Sequence, residues 1–94
     1  MSDWRIKRRE EMELLYVMLD VLKDGRRYGK TRIMQKMNIQ YYRMGKLLDI
    51  LDGKGFILVE EKQMKLRKRY KISITEDGVR LYKELGMLRR LLDV

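Results

Sequence analysis

The chain has 94 residues, enough for one domain with a small core and a thin stability margin. Its 23 Lys+Arg against 14 Asp+Glu give a formal charge of +9, which suits a polyanionic partner or a membrane surface. There is no cysteine and no histidine, which removes disulfides, thiolate nucleophiles, Cys/His metal sites and histidine general-base chemistry.

A hydrophobic content of 45% suits a globular fold and argues against disorder. No apolar run approaches the roughly 18 residues of a membrane span, and no signal-peptide core follows the N-terminal charges. Proline is absent, so no helix is broken by that route. A single domain over residues 1–94 is expected.

Residues 3–24 read as the first helix, with Ser2 or Asp3 as its cap and Gly25 after its end. Leu15, Met18 or Leu19, and Leu22 recur at helical spacing and should face the core. Glu10, Glu11, Glu13 and Asp20 fall on a solvated face. Trp4 and Ile6 extend the core or contact a second subunit, and a tryptophan so near a terminus favours the second for Trp4. Gly25 to Gly29 link to the next helix, with room for a short strand.

The second helix is expected over Lys30–Met37, with Thr31 as its cap and Ile33, Met34 and Met37 facing inward. Asn38 tolerates the left-handed conformation that ends a helix before a tight turn. The third helix runs over 40–54. Met44, Leu47, Leu48 and Leu51 stand at i, i+3, i+4 and i+7, one helical face. Gln40, Tyr42, Arg43 and Lys46 lie opposite. Gly45 costs about 1 kcal/mol against alanine mid-helix, which points to a close neighbour, either a packed helix or nucleic acid, with helix packing favoured.

Phe56 to Val59 read as a strand, and Arg69 to Ile74 as its partner. Tyr70, Ile72 and Ile74 alternate with Lys71 and Ser73, the period of a half-buried strand. The wing at 60–69 carries Lys62, Lys65, Arg67 and Lys68 and is strongly basic. Thr75 caps the last helix, with Glu76 and Asp77 placed well for the helix dipole. Leu81, Leu85, Leu88 and Leu92 form a heptad seam, broadened by Met87, Leu91 and Val94. Its first half should lie on the first helix of the same chain and its second half across a dimer, making 75–94 a dimerisation helix.

Helices, turn, hairpin and helix in that order make an α+β, mainly helical winged helix-turn-helix with a terminal dimerisation helix. In such a unit the second helix of the pair offers its N-terminal residues to the major groove. Gln40, Tyr42, Arg43 and Lys46 are therefore the candidate base contacts. Arg43 can pair bidentately with guanine, and Gln40 with adenine. Tyr41 takes the structural role of the two adjacent tyrosines. Lys62, Lys65, Arg67 and Lys68 suit the phosphate backbone, as do Lys30, Thr31 and Arg32 at a helix N-terminus. Trp4, Leu81, Leu85, Leu88 and Leu92 are the candidate dimer contacts. No catalytic constellation, metal site or cofactor loop is found: Asp49 and Asp52 have no third ligand, and Gly53–Gly55 follows a helix rather than a strand.

Lys30-Thr31-Arg32-Ile33-Met34, Asn38-Ile39 with Tyr41, Leu48, Leu51, Lys54-Gly55-Phe56-Ile57, Tyr70-Lys71-Ile72 and Ile74-Thr75-Glu76-Asp77-Gly78 resemble archaeal winged-helix DNA-binding proteins of the Sso-ten-a type. About half the chain carries the likeness. The Lys-Gly-Phe-Ile and Ile-Thr-Glu-Asp-Gly pieces recur across winged helices and specify fold more than family. The resemblance implies a homodimeric, chromosomal or regulatory DNA-binding protein without a cofactor, cytoplasmic and nucleoid-associated. The helix ending at Val94 is shorter than the coiled coil of that type, so a compact dimer is implied, similar to small PadR-like regulators. A sequence-specific transcription regulator leads. A DNA-spreading or plasmid-partition protein, similar to the AspA type, is the alternative, and a winged helix that binds a partner protein is a third.

Overall fold

The computed structural model describes the backbone of residues 3–92 and the side chains of residues 10–92. Its elements are α1 (Asp3–Leu22), α2 (Lys30–Met37), α3 (Tyr41–Gly53), β1 (Ile57–Gln63), β2 (Lys68–Ile74) and α4 (Glu76–Leu92). Ser2 and Val94, and the side chains of Asp3, Trp4 and Ile6, lie outside the described residues.

The apolar stripes meet in one core. Met18, Leu19 and Leu22 of α1, Ile33 of α2, and Met44, Leu47, Leu48 and Leu51 of α3 are buried with Ile57, Ile72 and Leu85. Each such side chain contributes about 1.5–3 kcal/mol when fully buried. The helical periodicity had singled out all of the helix residues in this set.

Asn38 ends α2 in the left-handed region at φ 53°. Its N–H donates to Gln35 O at 3.3 Å, and Ile39 N–H donates to Met34 O at 3.3 Å. These bonds satisfy carbonyls that the helix leaves free and turn the chain into α3. Gln40 is the cap residue of α3 rather than its first turn, and Lys54 lies just beyond its end. Gly55, at φ +76°, then reverses the chain, and Phe56 N–H closes on Leu51 O at 2.9 Å.

β1 and β2 form an antiparallel hairpin from Ile57↔Ile74 to Gln63↔Lys68. The strands are longer than their hydrophobic alternation indicated, so most of the expected wing at 60–69 is strand and only residues 64–67 turn. Alternation fades beyond Val59 because the hairpin leaves the core there. Tyr28 adds a single isolated bridge to Ile72, where the sequence left room for a short strand before α2.

Thr75 both donates through Oγ1 to Gly55 O at 2.7 Å and accepts from Gly78 N–H at 3.1 Å, which fixes the start of α4. Gly78 itself is buried. A Cβ there would press into the Phe56 carbonyl oxygen and stand 2.7 Å from Ile74 Cγ1. Gly45 has no such constraint: nothing lies within 4 Å of where its Cβ would be. The helix packing expected at Gly45 is therefore corrected: the close approach within the chain is at Gly78.

α4 lies along α1. Arg89 donates two hydrogen bonds to Glu13, at 2.8 and 2.7 Å, and its guanidinium sits 4.4 Å from the Tyr16 ring centre. Tyr16 stacks on Tyr82 at 5.0 Å, and the Tyr82 hydroxyl donates to Asp20. Glu13 and Asp20 were expected on a solvated face; they instead tie the first helix to the last. Leu85 is 8% exposed and Leu81 packs against the core. That half of the leucine seam is occupied within the chain, so Leu85 is withdrawn from the dimer contacts. Met87, Leu88, Leu91 and Leu92 stay exposed.

Candidate nucleic-acid interface

The three C-terminal helices begin in two different ways. α4 has the Thr75 cap and acidic Glu76 and Asp77 in its first turn. That arrangement satisfies free N–H groups and complements the positive end of the dipole. α2 starts from Gly29, and α3 from Gln40, with no side-chain cap bond and no acidic residue in either first turn. Thr31, expected as the cap of α2, is its second residue. Lys30 and Arg32 stand in the first turn of α2, and Arg43 in that of α3, where positive charge opposes the dipole. Both helices of the turn unit thus leave uncapped, cationic N-termini.

These two N-termini share a groove with the hairpin. Gly29, Lys30, Thr31 and Tyr41 line one side, and Arg67 to Lys71 the other, around about 420 Å³. Lys30 Nζ lies over the Tyr70 ring at 3.8 Å and 5.9 Å from the Tyr41 ring centre. This cation–π contact holds the ammonium at the groove edge while leaving its N–H donors free. Tyr41 is 59% exposed beside the groove, so its expected structural role is corrected. Tyr70, Arg69 and Lys71 were not singled out as site residues. The alternation in Arg69–Ile74 was a signal for them once the hairpin register is known.

α3 presents Gln40, Tyr42, Arg43 and Lys46 to solvent, with Tyr42 72% exposed. Lys46 Nζ lies 4.9 Å from the Tyr42 ring centre, one turn away. Met44, Leu47 and Leu48 turn the other way, into the core. The structure places all four candidate base contacts at the exposed start of α3, and Lys30, Thr31 and Arg32 at the adjacent start of α2.

The four wing cations do not act as one set. Partners across a hairpin share a face, so Lys68 and Gln63 lie on the face of Tyr70, while Lys62 and Arg69 lie on the other. Lys65 and Arg67 sit in the turn, where Met64 N–H donates to Arg67 O at 2.7 Å. Lys68 is paired with Glu61 at 3.1 Å, and this hydrogen bond raises its pKa. Among the described residues Lys30, Arg32, Arg43, Lys46, Lys62, Lys65 and Arg67 have no carboxylate within 4.0 Å. Their charge is unspent within the fold. Lys68 alone of the candidate phosphate contacts would have to exchange one partner for another.

Among the described residues no helix is long and apolar enough to cross a membrane. Of the dimer candidates, Leu88 and Leu92 are exposed at 43% and 54%, Leu85 is buried, Leu81 is half-buried against the core, and the Trp4 side chain lies outside the described residues.

The chain is 29% identical over 86 residues to the uncharacterized protein MJ0287 of Methanocaldococcus jannaschii, covering 92% of this chain and 79% of that protein. Its fold is similar to that of Sso10a-2, a DNA-binding protein from Sulfolobus solfataricus. The TM-score is 0.76 at 23% identity, with 87% and 80% of the two chains covered. TA0346 of Thermoplasma acidophilum matches with a TM-score of 0.77 at 18% identity, over 92% and 90% of the chains. A MarR-family transcriptional regulator from Rhodococcus sp. RHA1 matches at 0.67 and 17%, over 79% of this chain but 51% of the regulator. The expected Sso-ten-a resemblance therefore holds in fold. Residues 8–93 match the family model described as winged helix-turn-helix, and the chain belongs to that family.

Proposed function

We propose that the protein is a homodimeric, sequence-specific binder of double-stranded DNA that acts as a transcription regulator. The observation that carries the reading is the pair of uncapped, cationic helix N-termini meeting the hairpin at one groove. α4 is capped and neutralised, whereas the first N–H groups of α2 and α3 face solvent and can donate to an anion in place of water. Sugar–phosphate backbone supplies that anion repeatedly, and Lys30, Thr31 and Arg32 suit it. α3 then enters the major groove, with Arg43 on a guanine edge and Gln40, Tyr42 and Lys46 beside it. Lys65 and Arg67 at the tip, with Lys62 and Lys68 on opposite faces of the hairpin, contact flanking phosphates and supply affinity rather than sequence choice.

The exposed apolar face of α4, with Met87, Leu88, Leu91 and Leu92, is the surface for the second subunit. The name of Sso10a-2 and the regulators among the similar structures support the same reading of the fold.

Footprinting on duplex DNA at rising protein concentration tests the proposal. A regulator protects one pseudo-palindromic site, with half-sites about one helical turn apart. A protected region that lengthens with protein would assign the spreading or partition role instead. Duplex affinity that does not fall steeply with salt would remove the DNA reading altogether and leave a protein-binding winged helix.

A further inference from the structure

A second basic cleft lies on the other side of α2. Arg26, Arg27, Arg32, Lys36 and Lys71 converge on about 540 Å³, backed by Asp24, Tyr28 and Gly29. Arg32 and Lys36 are one turn apart on α2 and so share a face. Lys71 reaches the cleft from β2, on the hairpin face that carries Glu60. Gly29 and Lys71 also line the first groove, so the two concavities meet at the N-terminus of α2.

The acids near this cleft are already engaged. Asp24 accepts from the Tyr28 hydroxyl at 2.6 Å and from the Arg26 N–H at 3.0 Å, and these bonds hold its pKa below the usual carboxylate value. Glu60 faces Arg27 at 3.3 Å. Arg32, Lys36 and Lys71 have no carboxylate within 4.0 Å among the described residues. Lys36 also suits the C-terminal end of the α2 dipole, so alone it says little. Its convergence with Arg32 and Lys71 is another matter. Together they give the cleft a positive field that draws a polyanion to it.

We propose that this cleft is a second backbone site for the same bound duplex. A phosphate strand leaving the groove crosses the free N–H groups of α2 at Gly29 and continues along Arg32, Lys36 and Lys71. Arg26 and Arg27, held by their acids, line its far wall. This site rests on the DNA reading above and extends its footprint past the helix-turn-helix contacts. A duplex strand presents phosphates one after another, so it can meet several separate cations that a single small anion cannot bridge.

The test is the variant Lys36→Gln in the full chain, because Lys36 lines this cleft and not the groove. Lys36 is exposed, so its thermal melt should stay close to the parent's. Anisotropy titrations at several salt concentrations would use two duplexes, one spanning only the groove contacts and one extended on the flanking side. On the extended duplex the slope of log affinity against log salt should flatten by about 0.9, the share of one lost contact. On the short duplex it should not change. An unchanged slope on the extended duplex, with parent binding intact, would overturn the second site and leave the first standing. Pyrophosphate saturating the Lys36 and Lys71 NMR signals without that slope change would make the cleft a small-anion pocket and equally overturn the proposal. If the parent itself shows no salt-dependent duplex binding, the underlying DNA reading fails and takes this site with it.

Discussion

Replacing Gly78 by alanine sets two effects against each other. Helix propensity favours the change by up to about 1 kcal/mol, since glycine inside a helix is costly. Sterics oppose it: the new Cβ would overlap the Phe56 carbonyl oxygen, stand 2.7 Å from Ile74 Cγ1 and 3.0 Å from the Phe56 carbonyl carbon. Two of those three atoms are backbone and cannot rotate away. The Phe56 oxygen also accepts the Thr75 N–H at 3.2 Å, so yielding would loosen the start of α4. Overpacking of this kind costs about 1–3 kcal/mol, and backbone atoms put the case at the upper end. The net expectation is a loss of about 2 kcal/mol, or a melting temperature lower by roughly 8–16 °C for a domain of this size. Gly45→Ala is the control, because its Cβ enters open space and its φ is not positive. It should raise the melting temperature by roughly 4–8 °C. Thermal denaturation followed by circular dichroism measures both. A Gly78→Ala protein at least as stable as the parent would refute the packing described at the α4 start.

The α1–α4 tie predicts a pH response. Hydrogen bonding from Tyr82, then from Lys23, lowers the pKa of Asp20, so its stabilisation is complete above the ordinary value of 3.8 and is lost as pH falls through the lowered one. The same bond to Asp20 raises the pKa of Tyr82, so that stabilisation is complete below pH 10 and is lost as pH rises towards its raised value. Tyr82→Phe should flatten both limbs of a stability-against-pH curve; identical limbs in parent and variant would dismiss the bond. A double-mutant cycle on Glu13→Gln and Arg89→Gln should give a small favourable coupling, because the pair is bidentate but half exposed; a coupling of zero would dismiss the pair. Leu88→Glu should shift light-scattering mass towards the monomer, and an unaltered mass would move the dimer contact elsewhere. Arg43→Ala should cost about 1–3 kcal/mol on a preferred site and relax one base position in a selection experiment. Unchanged discrimination would remove it from the reading residues.

The parts of the fold that a short stretch determines were legible. Ile33, Met44, Leu48 and Leu51 obey helical spacing, Asn38 supplies the left-handed turn, and Thr75 with Glu76 and Asp77 announces α4. Features that depend on tertiary approach were not. Gly45 and Gly78 are both glycines inside helices, and only packing against the Phe56 carbonyl separates them. Glu13 finds Arg89 across 76 residues, and Asp20 finds Tyr82 across 62, so local reading left both acids in solvent. The strands outrun their alternation because Glu61 to Gln63 are exposed and need no apolar side. The candidate site followed the same division. Its charges at Lys30, Arg32 and Arg43 could be read from the chain, but the groove they share with Tyr41 and Tyr70 required the hairpin to fold back beside α2.

The reading depends on α2 leaving its N-terminus open for an anion, and Thr31→Glu tests that dependence most directly. Thr31 is exposed at the second position of α2, where a carboxylate complements the dipole and the Lys30 and Arg32 charges. The substitution should stabilise the fold by about 0.3–1 kcal/mol while placing negative charge where a phosphate would sit. Melting temperature and duplex affinity measured on the same preparation should therefore move in opposite directions, the first up by a few degrees and the second down at least about tenfold. A more stable protein that binds duplex DNA as tightly as its parent would contradict the account.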